Sequence, residues 1–138
     1  MANTVQCDIV SVERSIFSGK ATQVIVPGSE GEMGVRPGHE PLLTLLAPGP
    51  VQVTLEDGKD HIFYVSGGIL EVQPDSISVL ADTAERGGDL DEAAAQKALE
   101  DARNAASQKS SDFDYTTALA EIAEAQARLR ALKKARGM

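Results

Sequence analysis

Residues Pro27 to Gly49 read PGSEGEMGVRPGHEPLLTLLAPG and hold five glycines and four prolines. Glycine is used where φ must be positive or a backbone must come close, and proline fixes φ and removes a donor. No regular helix survives that density, and a strand through it is cut into short pieces. Yet Met33, Val35, Leu42, Leu43, Leu45 and Leu46 are apolar, which argues against a floppy linker. The stretch is expected to be a rigid, shaped turn system between short strands. Tight turns in any small β domain use the same residue types, so the flanking chain has to narrow the choice.

The flanks read as β structure. Val5, Cys7 and Ile9 alternate with Gln6 and Asp8, the pattern of a half-buried strand. Ile16 and Phe17 form a second short stretch ended by Ser18-Gly19, and Thr22 to Val26 a third that stops at Pro27-Gly28. Val51, Val53 and Leu55 alternate again. Asp57-Gly58 then predicts a hairpin turn, with Ile62 to Val65 as the returning strand. Ser66-Gly67-Gly68 breaks the run, Ile69, Leu70 and Val72 resume it, and Ile77, Val79 and Ala81 follow the Pro74-Asp75 turn. Short strands at this spacing indicate a sandwich or barrel over residues 1–84.

Near Arg86 the pattern changes to helix. Asp89 and Glu92 match the capping-box template, and an Ala-rich helix is expected from Leu90 to about Ser107. Its seam would be Ala95, Ala98, Leu99, Ala102, Ala105 and Ala106. Ser107 to Ser111 reads as a polar break, and Asp112 or Asp114 as the cap of a second helix. Tyr115, Ala118, Ile122, Ala125, Leu129 and Leu132 would line that helix. A short break makes the two helices an antiparallel hairpin. Alanine seams hold weakly: a buried methyl is worth ~0.8 kcal/mol, against roughly 1.5–3 for a buried Leu or Ile. The hairpin must therefore lean on the β domain, lean on a partner, or open.

Composition narrows function. A net charge of −8 argues against nucleic-acid binding by the whole chain. A single cysteine, Cys7, allows no internal disulfide. The start MANTVQCD has neither a basic nor an apolar signal region, and no run reaches the roughly 20 apolar residues of a membrane helix. A soluble chain without membrane insertion is expected. Residues 1–84 carry four basic and eleven acidic side chains, whereas the end is basic, with Arg128, Arg130, Lys133, Lys134 and Arg136. Helix-dipole compensation explains one or two of these five, and the rest suggest a partner.

No catalytic constellation assembles. The glycines lack a P-loop ending, no GxGxxG sits between strand and helix, and Ser66-Gly67-Gly68 is not a nucleophile elbow. Two histidines and one cysteine make no structural zinc site.

Three segments together resemble the epsilon subunit of bacterial F-type ATP synthases: Pro27–Gly49, FYVSGGILEVQP (Phe63–Pro74) and VLADTAERGGDLDEA (Val79–Ala93). The resemblance covers nearly the whole chain, with GxxGxxGxxPGHxPLLT and SGGxLEVQP as its specific parts. It implies a flattened β-sandwich of about ten strands over residues 1–86 and a two-helix hairpin over 87–138. It implies a non-catalytic rotor subunit of the central stalk, bound to the gamma subunit and the c-subunit ring at the cytoplasmic face of the bacterial membrane. The extended hairpin would reach the alpha and beta subunits and block ATP hydrolysis. By the same resemblance, Glu30, Glu32 and His39 fall at the c-ring and gamma contacts. Arg128, Arg130, Lys133, Lys134 and Arg136 would meet an acidic loop of beta. A nucleotide-binding motif of some members would correspond to Leu99, Glu100 and Arg103. There Glu100 replaces Asp and Asn104 replaces Ala, so weak or absent ATP binding and no other cofactor are expected. Two further functions stay open: a free-standing ligand-binding β module with an oligomerisation hairpin, and a nucleotide sensor.

Overall fold

The computed structural model describes residues 3–90, 92–107 and 115–136. Among them are nine strands: β1 (Val5–Ser11), β2 (Ser15–Gly28), β3 (Gly31–Val35), β4 (Leu42–Leu46), β5 (Gly49–Leu55), β6 (Asp60–Val65), β7 (Gly68–Gln73), β8 (Ser76–Ala81) and β9 (Ala84–Arg86). Two helices follow, α1 (Glu92–Ser107) and α2 (Tyr115–Ala135). The architecture is the expected β-sandwich followed by a helix pair.

The hydrogen-bonded order is β1-β8-β7-β4-β2-β5-β6-β9, with β3 beside β2 and β1 also paired to β2. One wall is therefore β1, β8, β7 and β4, the other β5, β6 and β9, and β2 serves both. The two stretches expected around Phe17 and Val24 are in fact this single strand. Ser18 and Gly19 do not end it, because both stay in the ladder opposite Asp8 and Cys7 of β1. The register shift between Ala21 and Gln23 instead lets the strand pass from β1 to β5.

Alternation sorts the core. Val5, Cys7, Ile9, Val24, Val26, Val51, Val53, Leu70, Val72, Ile77 and Val79 are buried inside the sandwich around Phe63. The β5–β6 hairpin closes on a turn in which the Gly58 amide donates to the Leu55 carbonyl at 2.9 Å. Gly58 has φ +83, the left-handed position that completes a three-residue hairpin loop. Gly68 meets a different constraint: a Cβ there would lie 2.1 Å from the Leu80 carbonyl oxygen of the neighbouring strand.

The Pro27–Gly49 stretch is the turn system expected of it. Gly28 and Gly31 pair across a tight connection between β2 and β3. Arg36-Pro37-Gly38-His39 forms a second turn, in which the His39 amide donates to the Arg36 carbonyl at 3.2 Å and Gly38 has φ +84. Proline then glycine at the centre is the type II signature.

The helices depart from expectation at their start. Asp89 lies in a 3-10 turn, Gly87–Asp89, and Leu90 is extended at φ −73 and ψ 136. The capping box expected of Asp89 and Glu92 is therefore not formed, and α1 begins at Glu92. The extended backbone drops Leu90 into a cluster with Tyr64, Ala127, Ala131 and Leu132. The expected seam residues Ala95, Leu99, Ala102, Ala125 and Leu132 are buried, but Ala98 is exposed. Asp112, Asp114 and the 108–111 part of the break fall outside the described residues, as do the side chains of Ala105, Ala106, Tyr115 and Ala118.

Burial pushes the Cys7 thiol up from its ordinary 9.0 to about 12, and the neighbouring Asp8 carboxylate adds to the rise. The folded state thus keeps a proton that the unfolded chain releases above pH 9. Stability from this group is intact below pH 9 and is lost as pH climbs towards 12. We predict that stability falls across this window by up to about 1.4 kcal/mol per pH unit from this one group, seen as a falling melting temperature. Cys7→Ala should flatten the fall, and an identical slope in both proteins would remove Cys7 as a cause.

Candidate functional site

Three surfaces bear on function. The first is the glycine-rich turn system. Glu30 at the β2–β3 connection and Glu32 on β3 are both exposed and line one shallow depression with Gly28, Ser29, Gly31, Met33 and Thr44. His39 is not with them. It lies beyond the other end of β3, in a separate depression with Gln23, Arg36 and Pro37, and its Nδ1–H donates to the Glu40 carbonyl at 2.7 Å.

The second surface is the contact between α2 and the sandwich. Ala127 and Ala131 are fully buried against β6, in a cluster with Tyr64 and Leu90 and with Ile62 packed against it. Neither alanine was in the expected seam. Of the expected seam only Leu132 falls in this cluster, because three-and-four spacing follows one face whereas α2 is covered on two. The approach is close: a Cβ on Gly87 would come within 2.9 Å of the Ala135 Cβ and 3.0 Å of the Ile62 carbonyl oxygen. Charges ring this small contact. Arg128 sits 4.8 Å over the Tyr64 ring and reaches Glu85 of β9 at 3.3 Å and Glu124 at 3.5 Å. Lys134 meets Glu32 at 3.2 Å. Arg130 donates to the Pro48 carbonyl at 3.5 Å. Arg136 pairs with Glu92 of α1. Lys133 is exposed and lines a cleft of about 550 Å³ with Leu99, Leu129 and Arg130. In the docked hairpin, four of the five basic residues thus have partners within the chain. Such exposed pairs are worth no more than about 1 kcal/mol each.

Tyr64 lies under this contact. Its hydroxyl is buried without a hydrogen-bond partner among the described residues. Burial raises its pKa, the Glu124 carboxylate adds to the rise, and Arg128 opposes it. A cleft of about 650 Å³ beside Arg128 is lined by Glu85, Asp89, Asp101, Glu121 and Glu124. Phosphates would meet five carboxylates there and one guanidinium. Of the residues expected to bind nucleotide, Leu99 is buried in the α1–α2 seam, while Glu100 and Arg103 are exposed one turn apart on α1.

The third surface was missed by sequence reasoning. Leu43 and Leu45 of β4 are 70% and 63% exposed, Leu80 of β8 is 47% exposed and Ile69 of β7 is 39% exposed. Leu45 pairs with Ile69, Ile69 with Leu80, and Leu80 with Val10 of β1. They form one apolar row across four strands, on the wall away from α2. The signal was the run Leu42-Leu43-Thr44-Leu45-Leu46, apolar on both faces. A strand with that pattern has both faces to cover.

Comparison with known proteins agrees with this layout. A family model described as "ATP synthase, Delta/Epsilon chain, beta-sandwich domain" matches residues 4–87, and one described as the "long alpha-helix domain" of the same chain matches residues 89–133. The chain belongs to the ATP synthase delta/epsilon family. The "ATP synthase epsilon chain" of Chromohalobacter salexigens is 57% identical over 131 residues, which is 95% of this chain and 93% of that one. Membership makes this an epsilon-type, non-catalytic subunit of the ATP synthase central stalk. The fold recurs in a chain of the Euglena gracilis mitochondrial ATP synthase, OSCP/F1/c-ring, at TM-score 0.74 and 24% identity, covering 99% of this chain and 81% of that one. It recurs again in the Tetrahymena thermophila mitochondrial ATP synthase central stalk/c-ring, at TM-score 0.61 and 11% identity, covering 93% and 96%.

Proposed function

We propose that this chain is a rotor subunit of a proton-translocating F-type ATP synthase, coupling rotation to ATP synthesis, and that its hairpin restrains ATP hydrolysis. The sandwich would join the gamma subunit and the c-subunit ring. The extended hairpin would meet the alpha and beta subunits. The same reading puts the chain at the cytoplasmic face of the bacterial plasma membrane as a peripheral component. No described helix is long and apolar enough to cross a membrane. Nucleotide binding is expected to be weak or absent, since Glu100 and Arg103 stand apart from the acidic cleft of the hairpin.

The observation that carries this reading is the apolar row Leu43, Leu45, Ile69 and Leu80. Contiguous exposed apolar surface of this kind marks a protein partner. It lies on the wall opposite the hairpin, so gamma can hold the sandwich whether the helices are docked or released. Glu30 and Glu32 offer carboxylates to the polar loops of a c-ring at a second edge. The hairpin's docking area is mostly alanine, so docked and extended states are expected to lie a few kcal/mol apart. A partner with differential affinity can reverse a gap of that size.

Leu45→Glu should weaken co-purification with gamma by about tenfold or more. The thermal stability of the isolated chain should barely move, since exposed positions usually contribute less than about 0.5 kcal/mol. Unimpaired co-purification would dissociate the row from gamma.

A separate measurement addresses the hairpin. Replacing Arg128, Arg130, Lys133, Lys134 and Arg136 by Gln should raise ATP hydrolysis by inside-out vesicles severalfold, with synthesis and complex content near normal. Added salt should do the same to the unaltered enzyme, because screening sets in over about 8–10 Å. If hydrolysis stays constant in the intact variant complex, the basic end has no inhibitory role.

A further inference from the structure

The Lys134–Glu32 pair, at 3.2 Å, joins the last turn of α2 to the glycine-rich turn system. Among the described residues it is the one ion pair that connects these two surfaces. The depression around Glu32 is lined by Gly28, Ser29, Glu30, Gly31, Met33 and Thr44 and brings no cation of its own. With α2 docked, Lys134 neutralises one carboxylate of that edge. With α2 released, Glu30 and Glu32 stand two positions apart with their charges uncompensated. An edge of that kind suits a cationic loop.

We propose that Lys134 and Glu32 couple the state of the hairpin to the occupancy of the β2–β3 edge. The docked hairpin holds Glu32. A basic loop of the rotor that takes Glu32 favours hairpin release, and hairpin docking weakens that loop's hold by the same factor, because coupling between two binding equilibria is reciprocal. This rests on the reading that Glu30 and Glu32 face a rotor partner. The size follows from exposure. The two side chains are 35% and 62% exposed, and pairs of that kind change an equilibrium by at most about fivefold. The device therefore tunes the hairpin equilibrium and does not set it. The Arg128–Glu85 pair and the alanine contact stay in place when Glu32 changes, because Glu85 lies on β9 and outside the turn system. A variant at Glu32 consequently keeps a hairpin that can dock.

The test uses the full chain in two arms. In the first, hydrogen exchange of residues 125–136 is followed in the unaltered protein, in Glu32→Lys, in Lys134→Glu and in the doubly swapped protein. Each single swap should speed exchange by about two- to fivefold, and the double swap should return it to the starting rate. Exchange in the double swap as fast as the two single effects combined would overturn the proposal. In the second arm, affinity for a purified gamma–c-ring subcomplex is measured. Lys134→Gln should tighten binding in the unaltered background and have no effect in a Glu32→Gln background. An equal effect in both backgrounds overturns the coupling. If Glu32→Gln alone leaves the affinity untouched, the rotor-contact reading of Glu32 fails and the coupling to the rotor fails with it. The first arm still reports separately whether the pair holds the hairpin.

Discussion

Ala127 and Ala131 lie against Tyr64 with none of their own surface exposed, and the placement of the whole hairpin depends on that contact. Two methyl groups at ~0.8 kcal/mol each make a small apolar contact. At the edge of the contact Gly87 leaves no room for a side chain, since a Cβ there would lie 2.9 Å from the Ala135 Cβ and 3.0 Å from the Ile62 carbonyl oxygen. A close, shallow contact is easily made and easily broken. The charged groups around it, Arg128 with Glu85 and Lys134 with Glu32, fix its register while remaining open to water and salt.

The sandwich is built on the opposite principle. Its core is a continuous aliphatic layer from both walls, closed by Phe63, with Cys7 acting as one more apolar residue. Tyr64, the next residue along β6, points the other way and belongs to the hairpin contact. One strand thus carries the boundary between the deep core and the contact with α2. The Tyr64 hydroxyl, buried without a hydrogen-bond partner among the described residues, would regain water if α2 left.

Much of this was legible in the sequence. Period-two alternation located β1, β5 and β8, an apolar run after Ser66-Gly67-Gly68 located β7, and glycine and proline chemistry located the turns around Gly38 and Gly58. Where reading failed, the cause was tertiary. Ser18-Gly19 resembled a stop, but β1 supplies ladder partners that carry β2 through it. Asp89 resembled a cap, but burial of Leu90 holds the backbone extended there. Ala127 and Ala131 resembled filler between seam positions, since an alanine says nothing about which face of a helix is covered. The apolar row on β4, β7 and β8 could not be separated from core residues without knowing which side of each strand faced inwards. Glu30 and Glu32 were singled out by the family resemblance of the glycine-rich stretch, and both line one exposed depression. The pairing of Glu32 with Lys134, 102 residues along the chain, was not.

On the proposed function, the chain's own sandwich and an acidic surface of a partner would compete for the same helix. The central claim is that the hairpin can leave without unfolding the sandwich. A urea titration of the full chain tests it most directly, with helical ellipticity and the thiol reactivity of Cys7 followed in the same samples. Cys7 is fully buried in the sandwich core and reports that core alone. The account predicts that ellipticity is lost at a lower urea concentration than the one at which Cys7 becomes reactive. Coincident transitions would mean that hairpin and sandwich unfold as one unit, and would contradict it.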